Sequence, residues 1–205
     1  MEPFVKLTAV AAPIDEINVD TNQLSPSRFS KTPRGPAYAK ILLHDARFNT
    51  DGSEKDYVLN REPFRTAAIL VTGRNFGCGS SREGAVYGLY HFGVRCVIAP
   101  SFGEIFLNNC YKNGLLPVTL PEEAAADIRR QLRERPGARI TVDLPQQTVT
   151  DPEGKAHRFE IKPVRKRCLV EGLDDISRTL QYQDSISAYE TRDRASRPWL
   201  WFNRA

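Results

Sequence analysis

The chain has 205 residues, 40% hydrophobic and 26% charged, with a formal net charge of +4. That length and balance describe one soluble globular domain able to bury a core of its own. The mild positive charge, with no basic block interleaved with aromatics, argues against nucleic acid as a partner and suits a small anionic molecule better.

The opening stretch, MEPFVKLTAVAAPIDEINVD, carries acids early and no long apolar run, which fits neither a signal peptide nor a membrane span. Within it FVKLTAVAAP reads as a strand ending at Pro13. Residues 14–36 are rich in Asn, Asp, Ser and Pro and read as loop; so long a loop inside a compact domain is often functional. Residues 37–60 are mixed, with a turn at NTDGSEKD. The apolar run AAILVT (67–72) predicts a buried strand. After it comes NFGCGSSREG (75–84), which crowds three glycines, two serines, an arginine, a glutamate and a cysteine between two apolar runs.

Residues 81–93 predict a helix with Ala85, Leu89 and Phe92 on one face and Gly93 at its end. VRCVIA (94–99) is a further strand, so this strand–helix–strand unit implies parallel pairing through a crossover. Residues 100–114 predict a second helix, with Ser101 and Glu104 at capping-box spacing and Gly114 at its end. LLPVTL (115–120) returns as a strand. The helix predicted in PEEAAADIRRQLRERPG has acids first and arginines last, the order its dipole favours. RITVDL, QTVT and HRFEI then alternate as strands separated by turns such as DPEG, and residues 171–192 read as helical. The fold class is α/β with an antiparallel portion.

Cys78, Cys96, Cys110 and Cys168 lie no closer than 14 positions apart, so the spacings of zinc or iron–sulfur sites are missing. Cys96 and Cys110 sit in apolar patterns as reduced core thiols, which points to the cytoplasm. His44, His91 and His157 are scattered and read as structural or surface groups.

The glycine loop carries the chemistry. Gly77 and Gly79 let the backbone approach a ligand closely. Ser80 and Glu83 have S-x-x-E spacing, which would start the next helix at the serine pair and turn its unpaired N–H groups toward an anion. Arg82 adds a planar fork suited to a carboxylate or phosphate. A dinucleotide fingerprint fails because Arg82 stands where the third glycine belongs, no Gly-Lys-Ser/Thr completes a phosphate loop, and the G-x-S-x-G elbow is absent. Carboxylate binding beside a serine hydroxyl remains, against the plainer reading of a capped helix with Arg82 in solvent.

GRNFGCGSSRE and VIAPSFGEIFLNNCYKNGLLPVTL closely resemble the small subunits of 3-isopropylmalate dehydratases, within the aconitase family. AAPIDEINVDTNQLSPSRF and YETRDRASRPWL resemble the same subunits near their two ends. The resemblance implies the swivelling β/β/α fold of the aconitase C-terminal domain over residues 1–205, with a C-terminal helical tail. It implies a hydro-lyase of leucine biosynthesis that moves a hydroxyl between adjacent carbons and works only with a large subunit. By this resemblance Ser80 is the base that removes a proton from carbon. Ser81 and Arg82 hold a substrate carboxylate, Thr21 and Asn22 lie near the active site, and Lys31 reads the third substituent with Arg28 and Arg34 as neighbours. The chain itself binds no cofactor: the family's [4Fe–4S] cluster belongs to the large partner, and Cys78 is a loop residue. The expected substrate is a small branched hydroxy diacid. Some letters depart from the pattern: Gly84 stands where relatives carry histidine, Asn22 where they carry aspartate, and Leu24-Ser25-Pro26 where they carry Ile-Ile-Pro. They leave open a related hydro-lyase for citraconate, dimethylmaleate or homoaconitate, or a paralogue without activity.

Overall fold

The computed structural model describes residues 1–79 and 82–201. In chain order the elements are β1 (Lys6–Ile14), α1 (Thr21–Leu24), α2 (Tyr38–Ile41), α3 (His44–Arg47), β2 (Ile69–Thr72), α4 (Glu83–Phe92), β3 (Cys96–Ala99), α5 (Glu104–Lys112), β4 (Leu116–Thr119), α6 (Glu122–Glu134), β5 (Arg139–Asp143), β6 (Thr148–Thr150), β7 (Ala156–Arg158), α7 (Pro163–Glu171), α8 (Asp175–Leu180) and α9 (Gln183–Ser196). The strands form a sheet in the order β4-β3-β2-β1-β5-β6-β7. β4, β3, β2 and β1 run parallel, while β5, β6 and β7 continue it antiparallel. The parallel crossover unit and the antiparallel portion are both as expected.

Period-two alternation gives the sheet two buried faces. Leu70, Val97 and Ala99 point into a core shared with Ala85 and Leu89 of α4 and Phe106 and Cys110 of α5. Ile69, Val71, Cys96 and Ile98 point the other way, against Ile128 and Leu132 of α6 and Leu169 of α7. Each fully buried Leu or Ile contributes about 1.5–3 kcal/mol of transfer free energy, so these facing sets are what anchor the helices.

β1 runs through Pro13 to Ile14 rather than stopping at the proline. Its first half pairs with β5 over Lys6–Val10 and its second half with β2 over Ala11–Ile14. The carbonyls of Val10 and Ile14 accept from Ala68 and Gly73 on the β2 side. By alternation Pro13 faces the other side, where β5 has already ended, so its missing N–H leaves no ladder bond unmade.

The stretch read as loop, residues 14–36, contains α1 and a 3₁₀ turn at Ser27–Phe29, and buries Val19, Thr21 and Leu24. The mixed region 37–60 is held by Arg47, 6% exposed, which donates to Asn60 Oδ1 and to the carbonyls of Ala39 and Leu42. The helix α7 has no periodic signal in the sequence, because its apolar residues gather on no one face. The capping box expected at Ser101 does not form, and Ser80 of the other lies outside the described residues. α4 starts at Glu83 with Arg82 in an extended conformation before it, and α5 starts at Glu104 after Gly103. Glu83 instead accepts from the buried Asn113 Nδ2 at 2.8 Å, and the Ser101 hydroxyl accepts from the Asn75 N–H at 2.9 Å. Among the described residues no helix is long and apolar enough to cross a membrane.

Candidate active site

Two loops leave the carboxyl ends of β1 and β2 and run side by side. Parallel βαβ sheets gather ligands at such ends. The backbones meet so closely at Gly73 that an added Cβ would lie 2.5 Å from the Glu16 carbonyl oxygen. Beyond it Asn18 N–H donates to Arg74 O at 3.0 Å, Gly77 N–H to Val19 O at 2.7 Å and Thr21 N–H to Cys78 O at 2.9 Å. Asn18 and Asn75 both take left-handed φ, 56° and 59°, and the Asn75 amide donates to Asn18 Oδ1 at 2.8 Å. Asparagine tolerates that backbone better than other residues with a Cβ, which accounts for its presence at both turns.

The glycines have definite reasons. At Gly77 (φ 71°) a Cβ would sit 2.2 Å from the Phe106 ring. That ring packs edge to face on the fully buried Phe76, with centroids 5.6 Å apart, a contact worth about 1 kcal/mol beyond area. Gly79 (φ 92°) has its Cβ direction 3.7 Å from Thr21 Oγ1. Cys78 Sγ lies 3.4 Å from the Asn18 carbonyl, and burial, then Asp20, push its thiol up. It therefore stays a protonated thiol at neutral pH.

The expected base, Ser80, and its neighbour Ser81 lie outside the described residues. Gly79 and Arg82 flank them. Arg82 is half-buried, and its Nη1 donates to Asn22 Oδ1 at 2.6 Å and approaches the Ser25 carbonyl at 3.4 Å. Asn22 Oδ1 also accepts the Ser27 N–H at 3.1 Å. Asn22 thus orients Arg82 without neutralising it, which leaves a full positive charge to meet an anion. Asn22 is held by α1, whose start is a true capping box: Gln23 N–H donates to Asp20 Oδ1 at 2.7 Å, and Asp20 N–H to Gln23 Oε1 at 2.8 Å. The D-x-x-Q spacing at 20–23 could have revealed this box from the sequence. A cavity of about 200 Å³ lies beside Asn22, lined also by Glu16, Val19, Leu43 and Tyr57.

Thr21, Asn22 and Arg82 are therefore brought together. The other expected charges are not. Lys31 is exposed and makes no hydrogen bond to Arg82 or Asn22. Arg28 forms a two-pronged pair with Asp45, and hydrogen bonding from Arg28 lowers the Asp45 carboxyl. Arg34 lies 4.5 Å over the Tyr87 ring. Gly84 faces Ser25 and Tyr38: an added Cβ would be 3.1 Å from Ser25 Oγ and 3.3 Å from Tyr38 Cε1. Tyr38 in turn donates to the Thr32 carbonyl at 3.2 Å, next to Lys31.

All four cysteines are free, and burial pushes the thiols of Cys96 and Cys110 well up. Among the described residues no group of three or more His, Cys, Asp or Glu could hold a metal ion. These cysteines do not fit an iron–sulfur cluster, which needs several thiolates converging on one point.

Comparison with known proteins bears on this arrangement. The family model for the aconitase C-terminal domain matches residues 1–123. A model described as LeuD_N matches 126–163, and one for the C-terminal domain of the 3-isopropylmalate dehydratase small subunit matches 175–200. The chain is 49% identical to the 3-isopropylmalate dehydratase small subunit of Paramagnetospirillum magneticum, over 98% of this chain and 100% of that one. It is 50% identical to the counterpart in Gluconacetobacter diazotrophicus, over 97% of each. The crystal structure of a 3-isopropylmalate dehydratase (leuD) from Methanocaldococcus jannaschii superposes with a TM-score of 0.63. It covers 90% of this chain and 99% of that one at 24% identity, a likeness of fold. The swivelling β/β/α architecture expected from the resemblance is the one present.

Proposed function

The chain belongs to the 3-isopropylmalate dehydratase small-subunit family, a family of hydro-lyases in leucine biosynthesis, and from that premise we propose how its residues serve the interconversion of 2-isopropylmalate and 3-isopropylmalate through isopropylmaleate. A proton must leave a carbon beside a carboxylate. Ser80 takes it. A serine hydroxyl is a weak base, so its alkoxide-like state needs fixed N–H donors and positive charge. Arg82 supplies the charge, and its fork, with Ser81, holds a substrate carboxylate. Thr21 and Asn22 fix the opposing loop, and Lys31 meets the third substituent from the segment that Tyr38 anchors. The observation that carries this reading is the Arg82–Asn22 bond at 2.6 Å. It joins the two loops on which Ser80, Ser81, Arg82, Thr21 and Asn22 lie.

In this reading the large subunit is the partner and holds the [4Fe–4S] cluster, which would supply the Lewis acid for the departing hydroxyl. Free, buried thiols suit the reducing cytoplasm.

Co-expression with a cluster-bearing large subunit is expected to give 2-isopropylmalate isomerisation, and Ser80→Ala to abolish turnover while the two chains still co-purify. Full activity in Ser80→Ala would remove Ser80 from the role of base. One observation favours a second reading. Gly84 packs against Ser25 and Tyr38 where the family resemblance implies a histidine, so the Lys31 segment can be shaped for another diacid. A panel of citraconate, dimethylmaleate and homoaconitate on the same assembled pair separates the two.

A further inference from the structure

The two site loops share a root, and one buried side chain holds it. β1 and β2 end side by side, Ile14 opposite Thr72. Arg129, on α6 and 7% exposed, reaches both ends. Its Nη1 donates to the buried Thr72 carbonyl at 2.7 Å, and its Nε to Asp15 Oδ1 at 3.1 Å. Arg133 Nη1 holds the same Asp15 carboxylate at 2.6 and 2.7 Å. One planar guanidinium therefore bridges the first residue beyond β1 and the last residue of β2. A rigid fork fixes the separation of the two points it binds, which a flexible ammonium would not. From there the loops are zipped by Asn18–Arg74, Gly77–Val19 and Thr21–Cys78, and the far end is closed by Arg82–Asn22. A shift at the root is carried along this ladder to the catalytic end.

We infer that Arg129 is a positioning residue for the reaction: its clip across Asp15 and Thr72 sets the register in which the glycine loop presents Ser80 and Arg82. The inference rests on the functional reading above. Displacing a reacting group by an ångström costs on the order of a hundredfold in rate, so a root clip has kinetic leverage without touching substrate.

The test uses the assembled two-subunit enzyme. Arg129→Met is expected to lower kcat for 2-isopropylmalate by roughly ten- to a hundredfold, with KM moving less than about threefold. Arg129→Lys, which restores one of the two bonds, recovers part of the loss. Arg130→Ala, on the exposed side of the same helix, leaves both constants within about twofold. In Arg129→Met the amides of Asn18 and Gly77 exchange faster, while those of Val97 and Ile98 keep their protection. Should Arg129→Met fail to fold, Asp15→Asn carries the same test with a smaller drop in kcat, about three- to tenfold. Constants within about twofold of the unsubstituted enzyme overturn the inference, even where the melting temperature falls. An unsubstituted pair inactive on 2-isopropylmalate defeats the substrate reading instead, and the exchange rates at Asn18 and Gly77 then decide the clip.

Discussion

A single amide, Asn22, decides how much charge Arg82 can offer. Its oxygen accepts from the guanidinium at 2.6 Å and from the Ser27 N–H, so it steers the fork while carrying no charge of its own. An aspartate there would make the same contact as an ion pair, and a substrate carboxylate would have to compete with it. Asn22→Asp is therefore expected to raise KM for the substrate by roughly fivefold, about 1 kcal/mol, with kcat changed less. Steady-state kinetics on the assembled enzyme checks this; an unchanged or lower KM shows that Arg82 does not bind the carboxylate. The neighbouring cations mark the limit of reading residues from sequence. Arg28, Lys31, Arg34 and Arg82 look alike as letters in polar stretches. Only the fold gives Arg28 to Asp45, stacks Arg34 on Tyr87 and leaves Lys31 exposed.

At the level of elements, the contact that most shapes the site is α2 against α4. Gly84 and Gly88 fall one turn apart on α4. A Cβ at Gly84 would press on Tyr38, and one at Gly88 would lie 3.4 Å from Leu42 Cα. The missing side chains let the Lys31 segment lie close to the helix start. Gly84→His is expected to cost about 1–3 kcal/mol of stability through overpacking, and less in a Tyr38→Ala background. A double-mutant cycle by thermal unfolding measures that coupling, and strictly additive losses would show that the two residues do not share the space. Element order was legible from β2 to α6, because buried strands and amphipathic helices alternate there with clear periods, whereas α1, α2 and α3 are single turns too short to show one. The starts of α4 and α5 were not legible. Spacing alone cannot tell whether a carboxylate turns back to its own helix, and Glu83 turns to Asn113 instead. The same holds for Pro13, whose tolerance in β1 depends on where the neighbouring strand stops.

On the scale of the whole molecule, the antiparallel half is fastened to α6 by one buried carboxylate. Asp151, 4% exposed, accepts from His157 Nε2 at 2.9 Å, from the N–H groups of Glu153 and Lys155 at 2.9 Å each, and from Gln131 Nε2 at 3.3 Å. Burial opposes its ionisation, but the donors, His157 foremost, outweigh burial and hold the carboxyl below its ordinary 3.8. A depressed carboxyl contributes stability that is present above 3.8 and lost as pH falls through the folded value. The melting temperature is thus expected to drop in acid, and Asp151→Asn to flatten that portion of the profile while costing about 2–3 kcal/mol at neutral pH. An acid profile unchanged by the substitution would assign the dependence to other carboxylates. The same division of the sheet bears on how the chain is made. The parallel half is complete once Thr119 has been synthesised, but β1 also needs Arg139–Asp143, which follow much later. Until they leave the ribosome, Lys6–Val10 present an unpaired strand edge to the cell. The nascent chain can thus assemble the framework of its site before it can protect its own first strand, and that interval is when it depends most on not meeting another copy of itself.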